Sequence, residues 1–128
     1  MSNSSRLRVL VVDDEPLIRW SLCETLEQSG HTVVEAGDAK STVQALSARE
    51  PFDVVLLDYR LPDSNDLNLL ATIRRLTPAS AVIMMTAFGT AEVMTGAVRL
   101  GAYQVLPKPF EVHDVAALVL EAHEAATR

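Results

Sequence analysis

The sequence predicts an α/β fold: a single five-stranded parallel sheet with helices on both faces. Three observations carry it. Stretches such as "RVLVV", "VVLL" and "AVIMM" are unbroken apolar runs rich in Val and Ile, the composition of strands covered on both sides. A segment with apolar residues at helical spacing follows each strand, so strand and helix alternate five times. The polar residues that could do chemistry stand at the ends of strands. In such a sheet that gathers them beyond the carboxyl ends of the strands, where ligands bind.

Each element has its own reason. "RVLVV" (Arg8 to Val12) is the first strand. Pro16 suits the first turn of a helix, where its missing N–H costs nothing, and Ile18, Leu22 and Leu26 recur at helical spacing until Gly30 stops them. "TVVEA" is the second strand, and Asp38 caps a helix that runs through Val43 and Leu46. "FDVVLLD" is the third strand; residues 67–76 are helical, and Pro78 forbids continuation. "AVIMMT" is the fourth strand, followed by a helix over residues 91–100. Gly96 lies inside that helix at a cost of about 1 kcal/mol relative to Ala. It either softens the helix or marks a close packing contact. "AYQVL" is the fifth strand, and residues 111–126 form the last helix.

Composition narrows the class. A chain of 128 residues is one domain, with residues 1–6 ("MSNSSR") as a flexible polar lead-in. No apolar run approaches the ~20 residues of a membrane span. The one cysteine, Cys23, excludes an internal disulfide and a cysteine metal site and suits a reducing cytoplasm. A net charge of −6 argues against direct nucleic-acid binding, which needs a basic face.

The first strand runs straight into Asp13, Asp14 and Glu15. Two carboxylates ~4 Å apart repel by roughly 4 kcal/mol at an effective dielectric of ~20, so a positive partner is expected there. Asp58 ends the third strand, Thr86 the fourth, and Lys108 follows the fifth, all at the same edge. Three carboxylates from two strands can hold a hard cation such as Mg²⁺. A hydroxyl and an ammonium suit the oxygens of a phosphoryl group, and a carboxylate so placed can act as nucleophile to form an aspartyl phosphate. Capping of the first helix alone would account for Asp13 and Asp14, though not for Asp58 and Lys108.

The set "VLVVDDEP", "VVLLDYRLPD", "MMTAFG" and "GAYQVLPKPF" resembles the receiver domain of bacterial two-component response regulators, over residues 7–126 and with order and spacing intact. The resemblance implies a flavodoxin-like sheet of strand order 2-1-3-4-5, and Mg²⁺-dependent phosphorylation by the phosphohistidine of a sensor histidine kinase. It makes Asp58 the phospho-acceptor, Asp14 a direct metal ligand and Asp13 one that acts through water, with the Arg60 backbone carbonyl completing the protein ligands. Lys108 would contact the phosphoryl group, and the Lys108–Pro109 bond matches one that is cis in this family. Thr86 would move to a phosphoryl oxygen, with small Ala87 leaving phosphodonors room to enter. Arg60 and Phe88 would stand beside the path of an attacking water and slow loss of the phosphoryl group.

Three departures accompany the match. Val105 stands where receivers often have a swinging aromatic; Tyr103, two residues earlier, is read on the same strand face, and either takes part in switching or is structural. Asp66 replaces a common Gly, which predicts a strained loop backbone. Gly96 is the third. His31, His113 and His123 are read as surface residues, Met84, Met85 and Met94 as core or near-core filler, and Trp20 and Cys23 as packing residues of the first helix.

The expected function is that of a signalling switch, not an enzyme that releases a product. "TAFGTAEVMTGAVRLGAYQVLPKPF" looks most like receivers of the NtrC type, the sigma-54 activators, which implies an ATPase and helix-turn-helix output domain beyond residues 127–128 and a homodimer through the fourth and fifth helices. Two other classes compete. An aspartyl-phosphate phosphohydrolase would carry "DxD" on one strand, whereas here the pair is "DD" and the nucleophile is on another strand. A phosphorylation-independent pseudo-receiver would not need the complete set of acids and lysine.

Overall fold

The computed structural model describes residues 6–87 and 89–127, so residues 1–5 of the lead-in, Phe88 and Arg128 lie outside the described residues. In chain order the elements are β1 (Arg8–Val12), α1 (Pro16–Gln28), β2 (Thr32–Ala36), α2 (Ala39–Leu46), β3 (Val54–Asp58), α3 (Asn68–Leu76), β4 (Ala81–Thr86), α4 (Ala91–Arg99), β5 (Gln104–Pro107) and α5 (Val112–Ala126). All strand pairs are parallel, in the order β2-β1-β3-β4-β5, the flavodoxin-like arrangement that the resemblance implies. β1, β2 and β4 have the predicted limits. β3 and β5 each start two residues later than expected.

Alternate strand residues face opposite layers. Val9, Val11, Val54, Leu56, Ile83 and Met85 pack under α1 and α5 with Leu22, Leu26, Val115 and Val119. Leu10, Val12, Val55, Leu57, Val82 and Met84 pack under α2, α3 and α4 with Leu70, Ile73 and Ala97. Burying each such side chain contributes roughly 1.5–3 kcal/mol, which is why the strands read as continuous apolar runs.

The helix starts are set by polar side chains. Asp38 and Ser41 form a reciprocal capping box on α2, and the Asp63 carboxylate also accepts from the Ala39 and Lys40 N–H groups at 2.7 and 3.1 Å. Thr90 accepts from the Val93 N–H and caps α4. Gly30, at φ +95°, turns the chain out of α1 in a conformation closed to most L residues.

Several expectations are corrected. Asp66 is not in a left-handed conformation, as no described non-glycine residue has positive φ; its carboxylate instead accepts from the Asn68 N–H at 2.9 Å and orders the start of α3. His31 is buried, not on the surface, because its Nδ1 accepts from the Leu7 N–H at 3.0 Å. Trp20 projects into solvent, 59% exposed, while Cys23 one turn on is buried as expected. Met84 and Met85 are core, but Met94 is exposed on α4. At Gly96 an added Cβ would stand 2.7 Å from Leu67 Cδ1, so the glycine marks a close contact between α4 and the residue preceding α3.

Candidate functional site

The carboxyl ends of β1, β3, β4 and β5 bring the predicted site residues together. Asp13, one residue beyond β1, is fully buried; its N–H donates to the Ala36 carbonyl at 3.1 Å, which fixes it to the end of β2. Asp14 points toward solvent at the same level. Asp58 closes β3 and is 5% exposed; Thr86 closes β4 and is 2% exposed. Lys108 follows β5, its backbone N–H donating to the Thr86 carbonyl at 2.9 Å, and the Lys108–Pro109 peptide bond is cis, as the resemblance implies. A cleft of about 250 Å³ is lined by Asp14, Glu15, Asp58, Arg60, Thr86, Ala87 and Lys108.

The ion pairs of the site centre on Lys108, which faces three acids. Lys108 Nζ lies 3.1 Å from Asp13 Oδ2, 3.3 Å from Asp58 Oδ2 and 2.9 Å from Glu15 Oε1. Burial, and then the neighbouring Asp13 carboxylate, push the Asp58 pKa up to about 6, against the pull of Lys108 and a hydrogen bond from the Arg60 backbone. Burial by itself would push the Lys108 ammonium down, but Glu15, Asp58 and Asp13 outweigh it and raise the lysine above its ordinary value. One carboxylate oxygen each from Asp13, Asp14 and Asp58 can be chosen so that all lie within 4.8 Å of one another. Such a set of hard oxygen donors, one of them solvent-facing, fits Mg²⁺, which takes one or two carboxylates and keeps several waters.

Two of the predicted residues are not brought to this edge. Tyr103 lies just before β5, is 39% exposed and lines a separate hollow with Arg74 and Ala122; Val105 is buried beside Ala97 and Ala102. The shared strand face expected for the pair therefore fails, because β5 begins only at Gln104. Sequence reasoning also missed two residues. Glu15 was visible as the third acid of the run, but its bond to Lys108 spans 93 positions. Arg19 donates through Nη1 to the Asp13 carbonyl at 2.7 Å and through Nε to Glu35 at 3.0 Å, steadying the turn that carries the acids. A bond to a backbone carbonyl leaves no trace in residue spacing.

The family model for the response regulator receiver domain matches residues 9–120. The response regulator protein PilR of Pseudomonas aeruginosa is 39% identical over 120 residues, covering 92% of this chain and 26% of that protein. The DNA-binding transcriptional regulator NtrC of Escherichia coli K12 is 38% identical over 114 residues, covering 89% of this chain and 24% of that protein. The chain thus spans about a quarter of the length of these curated relatives. Among solved structures, a CheY-like response regulator receiver domain protein from Methanospirillum hungatei superposes with a TM-score of 0.90 at 28% identity, covering 96% of this chain and 98% of that one. The receiver domain of NtrX from Brucella abortus superposes at 0.81 with 36% identity, covering 91% and 98%.

Proposed function

The chain belongs to the response regulator receiver domain family, and from that premise we propose that it accepts a phosphoryl group on Asp58 from the phosphohistidine of a sensor histidine kinase. The observation that carries this reading is the placement of Lys108 Nζ 3.3 Å from Asp58 Oδ2, at the mouth of a cleft that also holds Asp14, Arg60 and Thr86. An Asp58 carboxylate oxygen attacks phosphorus in line with the imidazole, the P–N bond breaks, and the electron pair leaves with the nitrogen. Lys108, largely shielded from water, then turns its ammonium to a phosphoryl oxygen, where a fixed charge is worth more than in bulk solvent. The Thr86 hydroxyl, carried on the next strand, donates to another. Asp13, Asp14 and Asp58, with the Arg60 carbonyl, would hold Mg²⁺, which would neutralise charge on the transferring oxygens. Ala87 leaves the entrance open.

The product is a conformational state rather than a released metabolite, so the domain acts as a switch and not as an enzyme of metabolism. We place it in the cytoplasm, upstream of an output domain of the kind that the NtrC relatives carry, with α4 and α5 as the faces that a second copy would use. Among the described residues no helix is long and apolar enough to cross a membrane.

Incubation with acetyl phosphate and Mg²⁺ followed by intact mass measurement tests the reading. One labile phosphoryl adduct is expected, absent in Asp58→Asn and after chelation of the metal. A folded wild-type protein that gains no adduct would overturn it.

A further inference from the structure

Glu15 occupies the N-cap position of α1, yet its side chain makes no cap hydrogen bond. Its N–H donates to Asp13 Oδ1 at 2.9 Å, and its carboxylate turns back over the site to Lys108 Nζ at 2.9 Å. Three carboxylates in a row would repel Glu15 outward into water. It folds inward because the lysine is there. The three acceptors around Nζ differ in depth: the side chains of Asp13 and Asp58 are 0% and 6% exposed, whereas that of Glu15 is 57% exposed. The two deep acceptors belong to the group that could hold a cation, and the shallow one does not.

We propose that Glu15 is a positioning residue that receives the Lys108 ammonium when a divalent cation enters among Asp13, Asp14 and Asp58, making metal entry and lysine withdrawal a single exchange. A dication held among Asp13, Asp14 and Asp58 would repel the ammonium from Asp13 and Asp58 at once. Without an acceptor at the rim, Lys108 would either stay against the cation or lose its ion pairs while still largely buried, and each is unfavourable. Glu15 gives it a place just outside the cluster, from which it can return to a phosphoryl oxygen on Asp58. That last step rests on the function proposed above; the exchange itself does not.

A double-mutant cycle read by calorimetric titration with Mg²⁺ alone tests the exchange, using the whole chain as wild type, Glu15→Gln, Lys108→Met and the double variant. Glu15→Gln is expected to weaken Mg²⁺ binding about three- to tenfold in the wild-type background and less than about twofold in the Lys108→Met background, where there is no ammonium to receive. Equal factors in the two backgrounds would overturn the proposal, because Glu15 would then act only through its long-range charge. No effect in either background would overturn it as well. Glu15 supplies no cap, so its substitution does not threaten α1, and far-UV circular dichroism of each variant checks this. The titration involves no phosphoryl transfer: a wild-type protein refractory to acetyl phosphate would overturn the proposed function while leaving the cycle fully decisive about Glu15.

Discussion

The two edges of the sheet handle polar groups in opposite ways. At the edge where the strands begin, partners match one to one. The Arg8 N–H donates to Asp53 Oδ2 at 2.8 Å, the Leu7 N–H to His31 Nδ1 at 3.0 Å, and the Ser80 hydroxyl to the Phe52 carbonyl at 2.6 Å. At the edge where the strands end, Asp13, Asp14, Glu15 and Asp58 crowd around one lysine. The first edge is closed by these bonds, with the buried Arg8 Nε left without a hydrogen-bond partner among the described residues while its guanidinium stacks over the Phe52 ring at 4.5 Å. The second gathers more carboxylates than Lys108 alone can pair, three of them placed so that they could share a cation. Within a chain of 128 residues, the groups that could do chemistry gather at one edge of the sheet only.

The sharpest way to break this contrast is to neutralise the nucleophile. Asp58→Asn should abolish the phosphoryl adduct completely and yet raise unfolding free energy. The Asp58 pKa is pushed from 3.8 to about 6 by burial and by Asp13, so the folded state holds the charged carboxylate at a cost on the order of 1–3 kcal/mol at neutral pH. The sign follows: between those two pH values the folded state binds more protons than the unfolded chain, so this group adds stability as pH falls from above 6 toward 3.8. Chemical denaturation at pH 7 without divalent cations should show Asp58→Asn more stable than wild type, and a less stable variant would contradict the strained-edge account. Next in size is the response to metal. Mg²⁺ at a hundred times its dissociation constant should stabilise wild type by about 2.7 kcal/mol. Most of that gain should vanish in Asp13→Asn, which a thermal melt at several Mg²⁺ concentrations reads directly.

The opposite edge should respond in the opposite sense. Ser80→Ala strands the buried Phe52 carbonyl and should cost about 1–3 kcal/mol while leaving Mg²⁺ affinity and the phosphoryl adduct unchanged. A loss of metal affinity in that variant would show that the two edges are coupled. The contrast also explains what the sequence made legible. Asp13, Asp58, Thr86 and Lys108 could be read because each stands at the end of an apolar run, where chain order alone specifies the edge. Strand limits were clear for β1, β2 and β4, whose apolar runs end abruptly, and shifted for β3 and β5, whose expected first residues, Phe52 and Ala102, are apolar but precede the ladder. His31, Asp66 and Arg19 could not be read, since each is placed by a bond to a backbone group. Glu15 was visible as an unexplained charge, but its partner was not.

The smallest effect expected is also the one that separates the edges by pH. Burial lowers the His31 pKa below 6.5, opposed by the Asp53 carboxylate. Its neutral Nδ1 must accept from the Leu7 N–H, and a proton there would end that bond. Other charges near this end include Asp53, which also accepts from Arg8 and lies 4.0 Å from His123 Nδ1, the Arg8–Glu50 pair, Arg6 beside Gly30, and Arg74, which donates to the Ser80 carbonyl. As pH falls below 6.5 the unfolded chain takes up the proton first, so His31 removes stability over the range in which Asp58 adds it. His31→Asn keeps an acceptor oxygen near the position of Nδ1 and has nothing to titrate. Unfolding free energies from pH 7.5 to 5 should therefore rise more steeply toward acid in His31→Asn than in wild type, and fall below wild type's slope in Asp58→Asn. Identical slopes in all three proteins would mean that neither edge titrates as its burial and partners require.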